Sequence, residues 1–244
     1  MEHILSQWFD SRNYHLSDKQ ITQLASYAGL IHEANQNFNI TGFKTLPEII
    51  EILILGSIEP HLGLIVPRGT RFVDMGTGGG VPGVPLSIVF PHMSGVLMDS
   101  NSKRIGFIDM VIDTLGIDTI QCVCGRLEEI ARDVNYRETF DYAFSRALAD
   151  PYIALELGAS LIKTGGFLYV YSSIDSALKH INYQPHANTL GLQRISECED
   201  NIQHWSMEDL AWVKQVQVNA RYPRRYPVMK REAERYVKSV TNNS

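Results

Sequence analysis

The sequence predicts an α/β fold, an open and mostly parallel twisted sheet with helices on both faces, preceded by a small helical N-terminal unit. Two observations predict it. From Arg71 onward, short apolar runs alternate with helical patterns. Before Arg71 the apolar residues recur only at helical spacing.

In the N-terminal stretch, Ile21, Leu24, Ala25, Ala28 and Ile31 share one helical face, and Ser17 with Gln20 offers a capping box to start it. NFNITGFK breaks that pattern, and Leu46 to Ile58 reads as a second helix with Pro47 in its first turn. We place a boundary after residue 66, with VPRGT as the joint, so that residues 1–66 form the helical unit and 67–244 the α/β domain with a basic C-terminal segment. The expected strands are RFVDM (71–75), GVLMD (95–99), TIQCVC (119–124), DYAFS (141–145) and FLYVYS (167–172). Ile105, Ile108, Ile112 and Leu115 line a helix that ends at Gly116. A further helix runs from Pro151 to Ile162 and closes in a Thr164-Gly165-Gly166 turn. GLQRISECE and LAWVKQVQV are expected to extend the sheet as an antiparallel hairpin.

Composition narrows the class. Hydrophobic residues at 44% and charged residues at 20% are those of an ordinary soluble domain. The most apolar stretch, Ile49 to Val66, is interrupted by Glu51, Glu59, Pro60 and His61, and no signal peptide opens the chain, so a cytoplasmic protein without a membrane partner is expected. Three cysteines argue against a disulfide framework, and Cys122 with Cys124 are better read as packing residues than as a redox or metal pair. The eight histidines are scattered without metal-ligand spacing, which predicts surface or loop positions and no metal. The net charge is −5, yet Lys214 to Lys238 holds eight basic residues against two acids, with Tyr222, Tyr226 and Tyr236 between them. A basic, aromatic segment of this kind is a candidate RNA surface, with Arg221, Arg224, Arg225, Lys230 and Arg231 as its phosphate contacts.

In an open α/β sheet, ligands bind beyond the carboxyl ends of the strands. Asp74, Asp99, the Gly125 region and Ser145-Arg146 each end a strand and become candidate neighbours. The glycines after Asp74 run Gly76, Gly78, Gly79, Gly80 and Gly83, with Val81 at the third position of a G-x-G-x-x-G reading, which disfavours a dinucleotide. The spacing suits a ligand with an adenosine, a short amino-acid tail and no phosphate, and S-adenosylmethionine has that shape. Its carboxylate can meet N–H groups at the helix start, and its ammonium needs an acid such as Asp74. Asp99 can accept both ribose hydroxyls. A helix cap is its alternative role, one that Ser100 or Ser102 could equally fill. The backbone at Arg126 and Leu127 can meet the adenine edge. Asp141 and Asp150 flank the fourth strand and read as turn or cap residues.

VDMGTGGGVPGVPL, then MDSNSKRIGFI, GRLEE and FDYAFSRALA, with NFNIT upstream, resemble the bacterial 16S ribosomal RNA methyltransferase G family. The likeness runs from about Tyr27 to Ser173, and RYPRRYP near the C-terminus extends it. It implies a Rossmann-like, class I S-adenosylmethionine-dependent fold and methyl transfer to guanine N7 in 16S RNA of the small ribosomal subunit, by a monomer. It also implies cofactor contacts at Asp74, Gly76, Thr77, Gly78, Gly80, Pro82, Asp99, Ser100, Arg126, Leu127, Glu128 and Arg146. Arg146 matches the family's S-R-A arginine and, with Asn39 of the N-x-T stretch, is the candidate at the reacting base, where Thr41 would cover the site. N7 already carries a lone pair, so Arg146 is assigned to positioning and not to proton transfer, with a salt bridge to Asp74 as its structural alternative. The chain departs from the family where Leu53 and Gly56 replace a histidine and an aspartate, with Ser57 retained, and where Ser172-Ser173 replaces Lys-Gly. These positions face the substrate side, which leaves open a different acceptor or a non-catalytic RNA-binding relative.

Overall fold

The structure, a computed structural model, describes residues 1–148, 150–171, 181–195 and 210–241. Helices α1 (Glu2–Asp10) and α2 (Asp18–Asn37) come first, and Ser17 and Gln20 form the expected capping box at α2. The expected helix over Leu46 to Ile58 is composite. It comprises α3 (Leu46–Glu48), a π-helical stretch Ile49–Leu55 and α4 (Gly56–Ile58), with a 3₁₀ turn at Glu59–His61. π-Helical turns inside helices gather at functional sites.

The α/β part follows in alternation. It runs β1 (Arg71–Met75), α5 (Gly83–Val89), β2 (Ser94–Asp99), α6 (Ser102–Leu115), β3 (Ile120–Cys124), α7 (Leu127–Ile130), β4 (Phe140–Arg146), α8 (Pro151–Leu161) and β5 (Ile162–Tyr171). After these come α9 (Gln184–Thr189), β6 (Leu192–Arg194), β7 (Leu210–Lys214) and α10 (Tyr226–Thr241). The described strands form one sheet in the order β3-β2-β1-β4-β5-β7-β6. β1 to β5 are parallel, and β7 runs antiparallel to both β5 and β6. The predicted hairpin is therefore present with its strands inserted in reverse order, and Glu197, Cys198 and Glu199 of its first run lie outside the described residues. Successive strands leave β1 in one direction and β4 in the other, so the crevice where sheet order reverses lies at the ends of β1 and β4.

One core face packs α1, α2, the π-helical stretch, α5 and α6 in a single apolar cluster, with Tyr27, Ile40 and Ile54 beside Val84, Leu97 and Ile108. The opposite face packs α8 and α10 with Leu127, Trp212 and Tyr222. Residues 1–66 thus share an apolar core with the sheet.

Several local expectations are corrected. Thr164, Gly165 and Gly166 lie within β5, which starts directly after α8, and its register against β4 shifts between Phe140 and Tyr142. A bulge absorbs the residues that read as a turn. The N-cap of α6 is Asn101, whose Oδ1 accepts from Lys103 N–H at 2.9 Å. His61 and His186 are buried, with Nε2 of each 2.7 Å from Tyr171 Oη and 3.1 Å from the Tyr152 carbonyl. Burial lowers His61 to about 3 and His186 to about 4, so both are neutral imidazoles. Cys122 is half-buried and Cys124 exposed, both as free thiols. Asp150 caps α8 through the Tyr152 N–H at 2.8 Å.

Candidate active site

The apolar strands β1, β2 and β3 place Met75, Asp99 and Cys124 at neighbouring ends, because β1 pairs Met75 with Met98 and β2 pairs Asp99 with Cys124. The loop after β1 is anchored to β2: Gly76 and Thr77 donate to the Met98 carbonyl at 2.8 and 3.0 Å, and Gly78 N–H donates to Asp99 Oδ2 at 3.0 Å. Gly76 and Gly80 have φ of +70° and +97°, a conformation that side chains disfavour. A Cβ on Gly76 would also stand 2.3 Å from Leu148 Cδ1.

Asp74 lies beneath this loop, fully buried. Its Oδ2 accepts from Thr77 Oγ1 at 2.7 Å and from Gly83 N–H at 2.8 Å, whereas Oδ1 has no hydrogen-bond partner. Burial pushes the carboxyl up to about 7 despite those two bonds. Pro82 is the N-cap of the buried helix α5.

A cavity of about 220 Å³ brings together many of the residues the sequence singled out: Gly76, Asp99, Ser100, Arg126, Leu127 and Glu128. Leu148 and Tyr226 complete the part of the wall that matters below. Asp99 is nearly buried; its Oδ1 accepts from Asn101 N–H at 2.9 Å and its Oδ2 sits 3.4 Å from Arg104 Nη1. Arg126 Nε donates to Glu128 Oε1 at 3.3 Å. Asp74, Thr77, Gly78, Gly80 and Pro82 are not in the wall; they shape the loop from below. A larger cavity of about 410 Å³ is lined by Tyr152, His186, Arg221, Tyr222 and Tyr236 among others, and includes no residue from the ends of β1, β2 or β3.

Arg146, at the end of β4, turns toward the N-terminal unit. Its guanidinium donates to the carbonyls of Leu53 at 3.1 Å and Ile52 at 2.8 Å and to Ser57 Oγ at 2.6 Å. Ser57 Oγ in turn donates to Leu53 O at 2.5 Å, and Tyr171 Oη donates to Ser57 O at 2.8 Å. The arginine thus holds helix carbonyls that the π-helical stretch presents, and Leu53 itself is buried. Ser172 and Ser173 lie outside the described residues. Asn39 is exposed, its Oδ1 accepting from Lys44 Nζ at 2.8 Å.

Two organisers were not singled out in the sequence. Asn35 Oδ1 accepts from Ile40 and Thr41 N–H, both at 3.0 Å, and its Nδ2 donates to Phe43 O at 2.6 Å, which shapes the whole N-x-T turn. Tyr27 Oη donates to Gly79 O at 2.8 Å, tying α2 to the glycine loop. An asparagine shortly before N-x-T was the signal available for the first; nothing local marked the second.

The basic segment divides. Arg221, Arg225, Lys230 and Arg231 are exposed. Arg224 is removed from that face, because its Nη2 and Nε meet buried Glu156 at 2.6 and 3.0 Å and its Nη1 bonds Glu232. Lys214 is buried, its Nζ paired with Glu138 and donating to the carbonyls of Ala159 and Ile162 at 2.7 and 2.8 Å. Among the described residues no group of His, Cys, Asp and Glu could hold a metal ion, and no helix is long and apolar enough to cross a membrane.

A sheet of this order, with an acid ending β2 above a glycine loop that ends β1, defines the class I S-adenosylmethionine-dependent methyltransferase fold. Two solved structures share it: a Haloferax volcanii methyltransferase in complex with the Trm112 activator, at TM-score 0.50 and 16% identity over 79% of this chain and 98% of that one, and MtNAS in complex with S-adenosylmethionine, at TM-score 0.50 and 19% identity over 80% and 73%. Within that class, the chain belongs to the rRNA small subunit methyltransferase G family, whose profile matches residues 20–205. It is similar to the ribosomal RNA small subunit methyltransferase G of Moorella thermoacetica, with 36% identity over 64% of this chain and 65% of the relative. The proteins of the same name from Lactococcus lactis and Mycoplasmoides gallisepticum are each 31% identical, over 86% of this chain and 89% of the first and over 90% of this chain and 92% of the second. The match to the Moorella protein thus spans about two thirds of its length, and the matches to the other two span most of theirs.

Proposed function

We propose that this chain transfers a methyl group from S-adenosylmethionine to N7 of a guanine in the 16S RNA of the small ribosomal subunit, acting in the cytoplasm as a monomer. The observation that carries the reading is the gathering of Asp99, Ser100, Arg126, Leu127 and Glu128 around one cavity bordered by Gly76. These residues suit the cofactor. Asp99 can accept ribose hydroxyls, the backbone at Arg126 and Leu127 can meet the adenine edge, and the unpartnered Oδ1 of Asp74 is an acceptor for an ammonium group, directly or through water. When bound, S-adenosylmethionine supplies a methyl group already activated for attack by its sulfonium.

Guanine N7 offers a lone pair, so no proton has to leave it and no general base is needed. The chain's task is to align the base and to tolerate the positive charge the base acquires. Arg146 serves that task as a positioning residue, because its hydrogen bonds to Ile52, Leu53 and Ser57 fasten the helical stretch to the end of β4. Asn39, exposed on the adjoining loop, is assigned to the target base. Arg221, Arg225, Lys230 and Arg231 are assigned to RNA phosphates, and their exposure supports this.

The test is to incubate purified protein and labelled S-adenosylmethionine with small subunits from cells lacking the enzyme. Label on one guanine N7 of 16S RNA is expected. Label on another nucleotide overturns the acceptor, and absence of cofactor binding by calorimetry overturns the enzyme.

A further inference from the structure

Tyr226 is the one aromatic ring in the described wall of the cofactor cavity. It comes from the first residue of α10, far along the chain from every other residue of that wall. Its ring centroid lies 5.1 Å from the Arg126 guanidinium carbon, and its body packs on the apolar cluster that holds Leu127, Ile153 and Leu157. The backbone leading into it is fastened at successive points. Arg132 Nη2 donates to the carbonyls of Arg221 and Pro223 at 3.0 and 2.5 Å, Arg137 Nη1 donates to Tyr222 O at 2.7 Å, and Glu156 accepts the Arg224 N–H at 2.5 Å. A segment pinned in this way delivers the next side chain to one place. The basic C-terminal segment, read from sequence as an RNA surface, therefore sends one of its tyrosines into the cofactor wall instead.

We propose that Tyr226 forms the outer wall of the adenine subsite, where its ring and the Leu127 side chain give the purine a surface to pack on. The inference rests on the S-adenosylmethionine reading and deepens it. Asp99, suited to the ribose, and Arg126 with Leu127, suited to the base edge, set the direction along the cavity, and Tyr226 stands at the Arg126 end. Adenine is the only planar π-system of the cofactor, and stacking of a base on an aromatic ring is tolerant of hydroxyl loss because it uses the ring face.

Calorimetry with adenosine, S-adenosylhomocysteine and S-adenosylmethionine tests this. Tyr226→Ala is expected to weaken all three about tenfold, since all share the purine. Tyr226→Phe should stay within about twofold of the parent, and Tyr226→Trp should bind and change its indole fluorescence when S-adenosylhomocysteine is added. An unchanged affinity in a folded Tyr226→Ala protein, or an equal loss in Tyr226→Phe, overturns the proposal. A loss confined to S-adenosylmethionine also overturns it, since the purine is then not what the ring meets. Should Tyr226→Ala not fold, Tyr226→Leu keeps the contact with the apolar cluster and decides in its place: weakened binding supports the ring's role and unchanged binding overturns it. Failure of the parent protein to bind S-adenosylhomocysteine would instead overturn the cofactor reading itself.

Discussion

Arg146 Nη1 donates to Ser57 Oγ at 2.6 Å, and through that bond the end of β4 is coupled to the turn where α4 begins. Ser57→Ala removes this acceptor and the hydroxyl's own bond to Leu53 O. A loss of about 1–2 kcal/mol is expected, read as a fall of roughly 3–7 °C in the melting midpoint. Arg146→Lys loses the planar fork that reaches Ile52, Leu53 and Ser57 together. In a double-mutant cycle the two changes should fall short of additivity by about 1 kcal/mol. Strict additivity would show that the bond contributes nothing.

Asn35 holds three backbone groups of the turn that carries Asn39 and Thr41. Asn35→Ala leaves those groups without their partner. Ile40 of the same turn packs against the glycine loop, since a Cβ on Gly79 would lie 2.4 Å from Ile40 Cγ2. RNA methylation is expected to fall at least tenfold, with cofactor affinity weakened only a fewfold. Single-turnover assays beside calorimetry separate the two effects, and a wild-type turnover rate would sink the assignment of this turn to the target base.

Asp74 gives the protein a titration in an uncommon range. Burial raises its folded-state carboxyl to about 7, while the unfolded chain ionises near the ordinary value of about 4. Between those values the folded state holds the extra proton, so this group's contribution to stability falls as pH rises from about 4 to about 7. Asp74→Asn keeps an oxygen for Thr77 and Gly83 and should flatten that part of the profile in urea melts. It should also weaken S-adenosylmethionine, because an amide does not pair an ammonium. An identical pH profile in parent and variant contradicts the shift.

The basic residues before and within α10 should separate by role. Changing Arg225, Lys230 and Arg231 together to Gln is expected to weaken RNA binding and to flatten the log–log salt dependence by about two units, with cofactor affinity unchanged. Arg224→Gln should behave differently. It strands Glu156, whose side chain is fully buried, and should cost about 3–5 kcal/mol with denaturation as the readout. If Arg224→Gln changes only RNA affinity, the pairing seen with Glu156 is not what the residue is for.

What could be seen in the chain beforehand was what local spacing encodes. The ends of β1 to β4 were legible because each apolar run stops at a polar residue, and the glycine loop was legible because its spacing rejects a pyrophosphate. The turn read at Thr164 to Gly166 misled because glycines signal both turns and bulges, and only pairing with β4 decides between them. His61, His186, Lys214 and Arg224 were read as surface residues because their burial depends on distant partners: Tyr171, Tyr152, Glu138 and Glu156. Tyr226 was missed as a wall of the cofactor cavity for the same reason. Leu53 and Gly56 stood out as departures, but nothing in the sequence showed that Arg146 would meet main-chain carbonyls there.

Lys214 has a consequence for chemical labelling. An ammonium enclosed by Glu138 and two main-chain carbonyls, with burial lowering its proton affinity, has no approach for an acylating reagent. Exposed Lys230 should react at once in the folded protein. Lys214 should react only when β7 detaches from β5, so the lag between the two, followed by peptide mass, reports how often that part of the sheet opens.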